Sequence, residues 1–159
     1  MPAWSPVIAN EFIKLAAEEG RTFNQMQLQE LVYIAHGWCL AIAGQPLTGD
    51  RPEAHAHGPE YRRLADALIK CGVDPVTEIP SETDATLSGA AELSEFEQDI
   101  VERIYADYGK LDIRHLAIVT RAKGTPWDKV YADGVGKNRD ISHTLIKAQF
   151  DDVATKLIS

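Results

Sequence analysis

At 159 residues the chain is long enough to bury one hydrophobic core unaided and short enough to be a single domain. With 45% hydrophobic and 25% charged residues it has the make-up of a soluble globular protein. A net charge of −8 argues against a phosphate-backbone binder, although Arg62, Arg63 and Lys70 lie close enough in sequence to form a local basic patch.

Residues 5–20, SPVIANEFIKLAAEEG, place Ile8, Phe12, Leu15 and Ala16 at helical spacing. Ser5 suits the cap, Pro6 the first helical position and Gly20 the end. The second helix opens on Asn24 with Gln27 three residues later, the spacing of a capping box. Leu28, Leu31, Val32, Ala35, Trp38, Cys39 and Ile42 form its apolar stripe, and Ile34, Leu40 and Ala41 carry apolar character to the other side. A helix apolar on most sides is surrounded by other elements, so this one is expected at the centre of the core.

Residues 44–58, GQPLTGDRPEAHAHG, break the helical pattern, with a short extended segment expected at 52–57. A third helix is expected from Pro59, with Tyr61, Leu64, Ala65 and Leu68 inward and Gly72 closing it. Arg62, Arg63 and Lys70 read as its solvated face. Residues 73–92 contain five acids and no base among Pro, Ser, Thr and Gly, and read as a long acidic loop with a second extended segment near 76–80. Ser94 and Glu97 make a second capping box ahead of Phe96, Ile100, Ile104 and Tyr108, with Gly109 ending that helix. Asp112 caps a fifth helix bearing Ile113, Leu116 and Thr120, and Pro126 opens a single turn. The last helix runs from about Ile141 with Ile146, Phe150, Val153 and Leu157 in step. The expected fold is mainly α: a compact single-domain bundle of about six helices around a buried central helix, spanning 1–159.

No apolar run approaches the ~18 residues of a membrane span. The start MPAWSPVIANEF has no basic residue ahead of an apolar stretch, so a cytoplasmic location is expected. Cys39 and Cys71 fall within helices rather than in a disulfide framework, and read as free thiols. A zinc centre would draw on His36, Cys39, His55, His57 and Cys71, since His36 and Cys39 lie three apart on a helix. Against it, Cys71 is a loop and a helix away, and there is no CxxC pair. His36 reads instead as a core histidine with its ring nitrogens bonded to neighbours. Cys39 paired with His36 or His57 is a poor nucleophile, because burial keeps a thiol protonated. GVGKNRD at 134–140 fits no Walker pattern, and neither a GxSxG nor an HExxH sequence occurs. The carboxylates offer no evident acid–base pair. No catalytic residue, metal or cofactor is therefore assigned, and a metal-dependent hydrolase is the weaker alternative.

Two segments remain, HGPEYRRL (57–64) and GTPW (124–127), each where a loop turns into a helix. Gly58 permits backbone conformations closed to other residues, and Pro59 fixes its own φ. Trp127 follows Pro126 on a rigid turn, either filling a gap between the last helices or anchoring a partner, since Trp and Tyr are enriched at interfaces.

At these residues the chain resembles the Panacea domain family, which includes SocA-like antitoxins and proteins labelled phage-associated. VIANEFIKLAAEEGRTFNQMQLQELVYIAHGWCLAIAGQPL is similar to the family's opening, where a Leu-Gln-Lys-Leu-like helix ends in Gly-Trp. PEAHAHGPEYRRL resembles its Glu-Ala-x-x-x-Gly-Pro-Val signature and TRAKGTPWDKV its Thr-His-x-x-x-x-Pro-Trp segment. Glu60, Arg121, His36 and Cys39 depart from the usual pattern. The resemblance implies a non-enzymatic antitoxin that neutralises a cognate protein toxin, encoded by an adjacent gene, through direct contact. A proteolytic adaptor for the toxin, or a phage-associated accessory protein, is the alternative. Trp38, His57, Gly58, Pro59, Tyr61, Arg62, Arg121, Gly124, Pro126 and Trp127 are the motif or partner-binding candidates. No membrane is implied as partner, and a homo-oligomer is compatible with the reading.

Overall fold

A computed structural model describes residues 2–79 and 93–158. Among them are seven α-helices: α1 (Ser5–Glu18), α2 (Gln25–Ala43), α3 (Arg62–Leu68), α4 (Glu95–Tyr108), α5 (Ile113–Arg121), α6 (Pro126–Tyr131) and α7 (His143–Ile158). The Pro126 turn is α6, which accounts for the count above six. Two strands, β1 (Glu53–His55) and β2 (Gly58–Glu60), form an antiparallel hairpin pairing Glu53 with Glu60 and His55 with Gly58.

The central helix is α2, against which α1, α3, α4, α5 and α7 all pack. Leu28, Leu31, Val32, Ile34, Ala35 and Cys39 are buried on it, and so are the polar Gln29, Glu30 and His36. Its capping box is formed: the Asn24 side chain accepts from the Gln27 N–H, and Gln27 accepts from the Asn24 N–H, both at 2.9 Å. Gly44 ends it at φ +68°, the left-handed conformation a C-terminal glycine supplies. The Ser94–Glu97 box and the Asp112 cap are formed likewise on α4 and α5. Close approach of α7 to α2 depends on Gly37: a Cβ there would sit 2.2 Å from Cε2 of the buried Phe150.

Two expectations are corrected. Ser5 is the first residue of α1 rather than its cap. Its N–H and hydroxyl both donate to the Asp50 carboxylate, so the helix is capped from 45 residues away by an interaction no local pattern displays. Pro59 does not open a helix: it lies in β2, Tyr61 stays extended at φ −88°, ψ 119°, and α3 begins at Arg62. The extended 52–57 segment therefore acquires a partner in the very residues expected to be helical. Of the 76–80 segment, Val76 makes an isolated bridge to Phe23, its N–H donating to the Phe23 carbonyl at 2.8 Å. The acidic stretch from 80 to 92 lies outside the described residues. Finally, Ile146 and Phe150 of α7 are buried, but Leu157 is exposed.

Candidate binding site around the hairpin

The hairpin has too few residues to hold itself, and its shape is imposed from outside. On the outer edge of β1, the Ala54 N–H donates to the Arg139 carbonyl at 2.8 Å and the Asn138 N–H to the Ala54 carbonyl at 2.7 Å. At its turn, Trp127 Nε1 donates to the His55 carbonyl at 2.7 Å and Arg121 donates to the His57 carbonyl at 2.8 Å. Beyond β2, the buried Gln29 side chain grips the main chain of Tyr61 twice. Tyr61 N–H donates to Gln29 Oε1 at 2.8 Å, and Gln29 Nε2 donates to the Tyr61 carbonyl at 3.1 Å. Three sequence segments, Leu28–Leu31, His57–Tyr61 and Thr120–Trp127, thus meet at one place.

Gly58 sits at the turn with φ +121°, a conformation side-chain-bearing residues rarely adopt, which explains the glycine. The Trp127 ring stacks on Tyr131 at 5.0 Å between centroids and 12° between planes. Trp127 is half-buried and ties α6 to the hairpin, which is the packing side of the two readings. His55 faces two carboxylates, Glu53 at 2.9 Å and Glu60 at 3.1 Å, and Arg62 reaches Glu53 at 3.2 Å. Burial pushes the Glu53 carboxyl up, but hydrogen bonds from His55 and Arg62 outweigh it and hold the pKa below its usual value.

Between the hairpin and the start of α2 lies a cleft of about 630 Å³, walled by Met26, Glu30, Pro59, Glu60, Val73 and Lys137 among others. Glu30 is 3% exposed. Burial raises its pKa to about 7, against the nearby Arg121 charge and a 3.3 Å contact from Thr120 Oγ1 to Oε2. Its Oε1 has no hydrogen-bond partner.

His57, Gly58, Pro59, Arg62, Arg121 and Trp127 gather at the hairpin, while Gly124 and Pro126 shape the turn that presents Trp127. Tyr61 joins them only through its backbone, its side chain being wholly enclosed. Trp38 is elsewhere: its Nε1 donates to Tyr108 Oη at 3.1 Å, and it lines a separate groove with Ile42, Ile104 and Leu157. Sequence reasoning missed Gln29 and Glu30. The available signal was a pair of polar residues embedded in a helix otherwise apolar on most sides. Cys39 is enclosed and burial raises its pKa to about 11, with Glu97 adding to the shift. Among the described residues no group of three or more His, Cys, Asp or Glu side chains is placed to hold a metal. None of the described helices is long and apolar enough to cross a membrane.

The three segments that lock the hairpin lie within the stretches whose motifs resemble the Panacea domain family. The family model described as "Antitoxin SocA-like, Panacea domain" matches residues 28–128, and the chain belongs to that family. It is similar to Antitoxin SocA of Caulobacter vibrioides (strain NA1000 / CB15N), at 31% identity over 136 residues covering 82% of this chain and 71% of that protein. No solved structure matches it.

Proposed function

We propose that the chain is the antitoxin of a toxin–antitoxin pair and neutralises its toxin by direct protein contact, using the hairpin face. The observation that carries this reading is the convergence itself. Gln29, Arg121 and Trp127 spend their polar groups on main-chain atoms of one hairpin, which fixes the wall of an open cleft. Such an investment makes a preformed binding surface, and preformed surfaces lose less entropy on association. The net charge of −8 suits a basic partner, since complementary charge speeds encounter. The partner is expected to be encoded by the adjacent gene and to be held in a cytoplasmic complex, with no membrane or nucleic acid contacted.

Co-expression of the adjacent gene with and without this chain tests the proposal. Growth rescue together with co-purification supports it; absence of both overturns it. Rescue accompanied by a shortened toxin half-life identifies delivery to a protease rather than masking. Trp127→Ala is expected to weaken toxin binding by about 2 kcal/mol while helical circular dichroism is retained.

A further inference from the structure

The proposed interface can be taken one step further at Glu30. Among the described acids Glu30 alone is almost fully enclosed, and its hydrogen bonding does not close. Thr120 has one hydroxyl hydrogen and two acceptors, the Leu116 carbonyl at 3.2 Å and Glu30 Oε2 at 3.3 Å. With the carboxyl protonated, Oε2–H can donate to Thr120, which then donates to Leu116, and Oε1 is left bare. With the carboxyl ionised, both oxygens need donors and Thr120 supplies one at most. Arg121 lies near in charge, but its one hydrogen bond goes to the His57 carbonyl and none reaches Glu30 Oε1. Glu30 Oε1 therefore lacks a donor.

We propose that the cleft receives an arginine or lysine side chain of the partner, whose cationic head meets Glu30. The cleft's walls suit such an occupant along its length. Met26, Pro59 and Val73 face a methylene stem, whereas Glu30 and Glu60 provide the negative charge. Lys137 is the one lysine or arginine on the wall, and it is exposed. Buried acceptors without partners cost free energy that an incoming donor recovers, and a charged donor recovers more.

The source of the side chain rests on the antitoxin reading; the site does not. Glu30 must lose its proton to meet a cation, so binding releases one proton. Thr120 and Arg121 face Glu30 from α5, and His55, His57, Glu60 and Lys137 share the cleft. The comparison with Glu30→Gln separates the carboxyl from these other groups of the cleft.

The test titrates capped Ala-Arg-Ala, Ala-Lys-Ala and Ala-norleucine-Ala peptides into the full chain at millimolar concentrations, followed by amide chemical shifts of the cleft. The basic peptides are expected to bind, with affinity rising up to about tenfold per pH unit towards pH 7 and levelling above it. Glu30→Gln should flatten that rise and weaken basic peptides about tenfold at pH 8, with the norleucine peptide indifferent to both. Equal binding of the norleucine peptide, no shifts at all, or an unchanged pH slope in Glu30→Gln overturns the proposal. If the wild-type chain fails to neutralise the adjacent toxin, the antitoxin reading falls while the peptide result still decides the site. If rescue succeeds and Glu30→Gln changes neither toxin affinity nor peptide binding, only the Glu30 proposal falls.

Discussion

Acid should destabilise this domain through His36, and the size of the effect follows from its surroundings. The ring is wholly enclosed on α2. Its Nδ1 accepts from the Leu47 N–H at 3.2 Å and the Thr48 N–H at 3.4 Å, which places the ring proton on Nε2. A proton added at Nδ1 would face two donors. Burial, with the neighbouring His143 adding to it, lowers the pKa to about 3. An unfolded histidine titrates near 6.5. Above that value neither state is protonated and His36 has no effect on stability. Between about pH 6.5 and 3 only the unfolded chain binds the proton, so stability falls by about 1.4 kcal/mol per unit, or about 2 kcal/mol by pH 5. Glu30 works in the opposite sense: its raised pKa gives stability that is full below about pH 4.5 and lost as pH rises through about 7. The two must therefore be separated by difference. His36→Asn keeps an acceptor near the Nδ1 position and does not titrate. Urea unfolding of both proteins from pH 8 to 5 should show the wild type's advantage shrinking by about 2 kcal/mol. Parallel curves would mean that the folded core accepts the charge, and the argument would be wrong.

Three further outcomes are expected. Gly37→Ala drives a methyl into the enclosed Phe150 ring, which has no room to swing, and should cost about 1–3 kcal/mol in urea unfolding. In Gly58→Ala the added Cβ meets Arg121 Cδ at an ordinary 3.5 Å, so strain at φ +121° rather than a clash sets its cost at about 1–3 kcal/mol. Faster amide exchange should accompany it across residues 53–60. Asp50→Ala removes the acceptor for both Ser5 groups and should lower stability by about 1–2 kcal/mol, visible as a lower thermal midpoint.

The elements that declared themselves in the sequence are those whose signals are local. Asn24 with Gln27, Ser94 with Glu97, and Asp112 cap their helices because each side chain reaches the N–H three residues ahead. The burial of α2 was readable because apolar residues occupy most of its faces. The cap on α1 was not, because Asp50 arrives from another part of the chain. Pro59 carries the same lesson. Its fixed φ fits the start of a helix and also an extended strand, and what decides is Gln29 holding Tyr61 from α2. At the candidate binding site, Gly58 and the Pro126–Trp127 turn were visible as special residues, but their meeting was not. Glu30 was overlooked because enclosure, not residue type, gives a carboxylate its altered chemistry.

Apart from the Arg62–Glu53 ion pair, the outside grips on the hairpin close on main-chain atoms: the carbonyls of His55 and His57, both polar groups of Tyr61, and both of Ala54. The side chains of Ala56, His57 and Glu60 take no part in those grips. The lettering on this turn can therefore change while the mount beneath keeps its geometry, and on the proposed interface libraries randomised at positions 56, 57 and 60 are the variants expected to shift target choice.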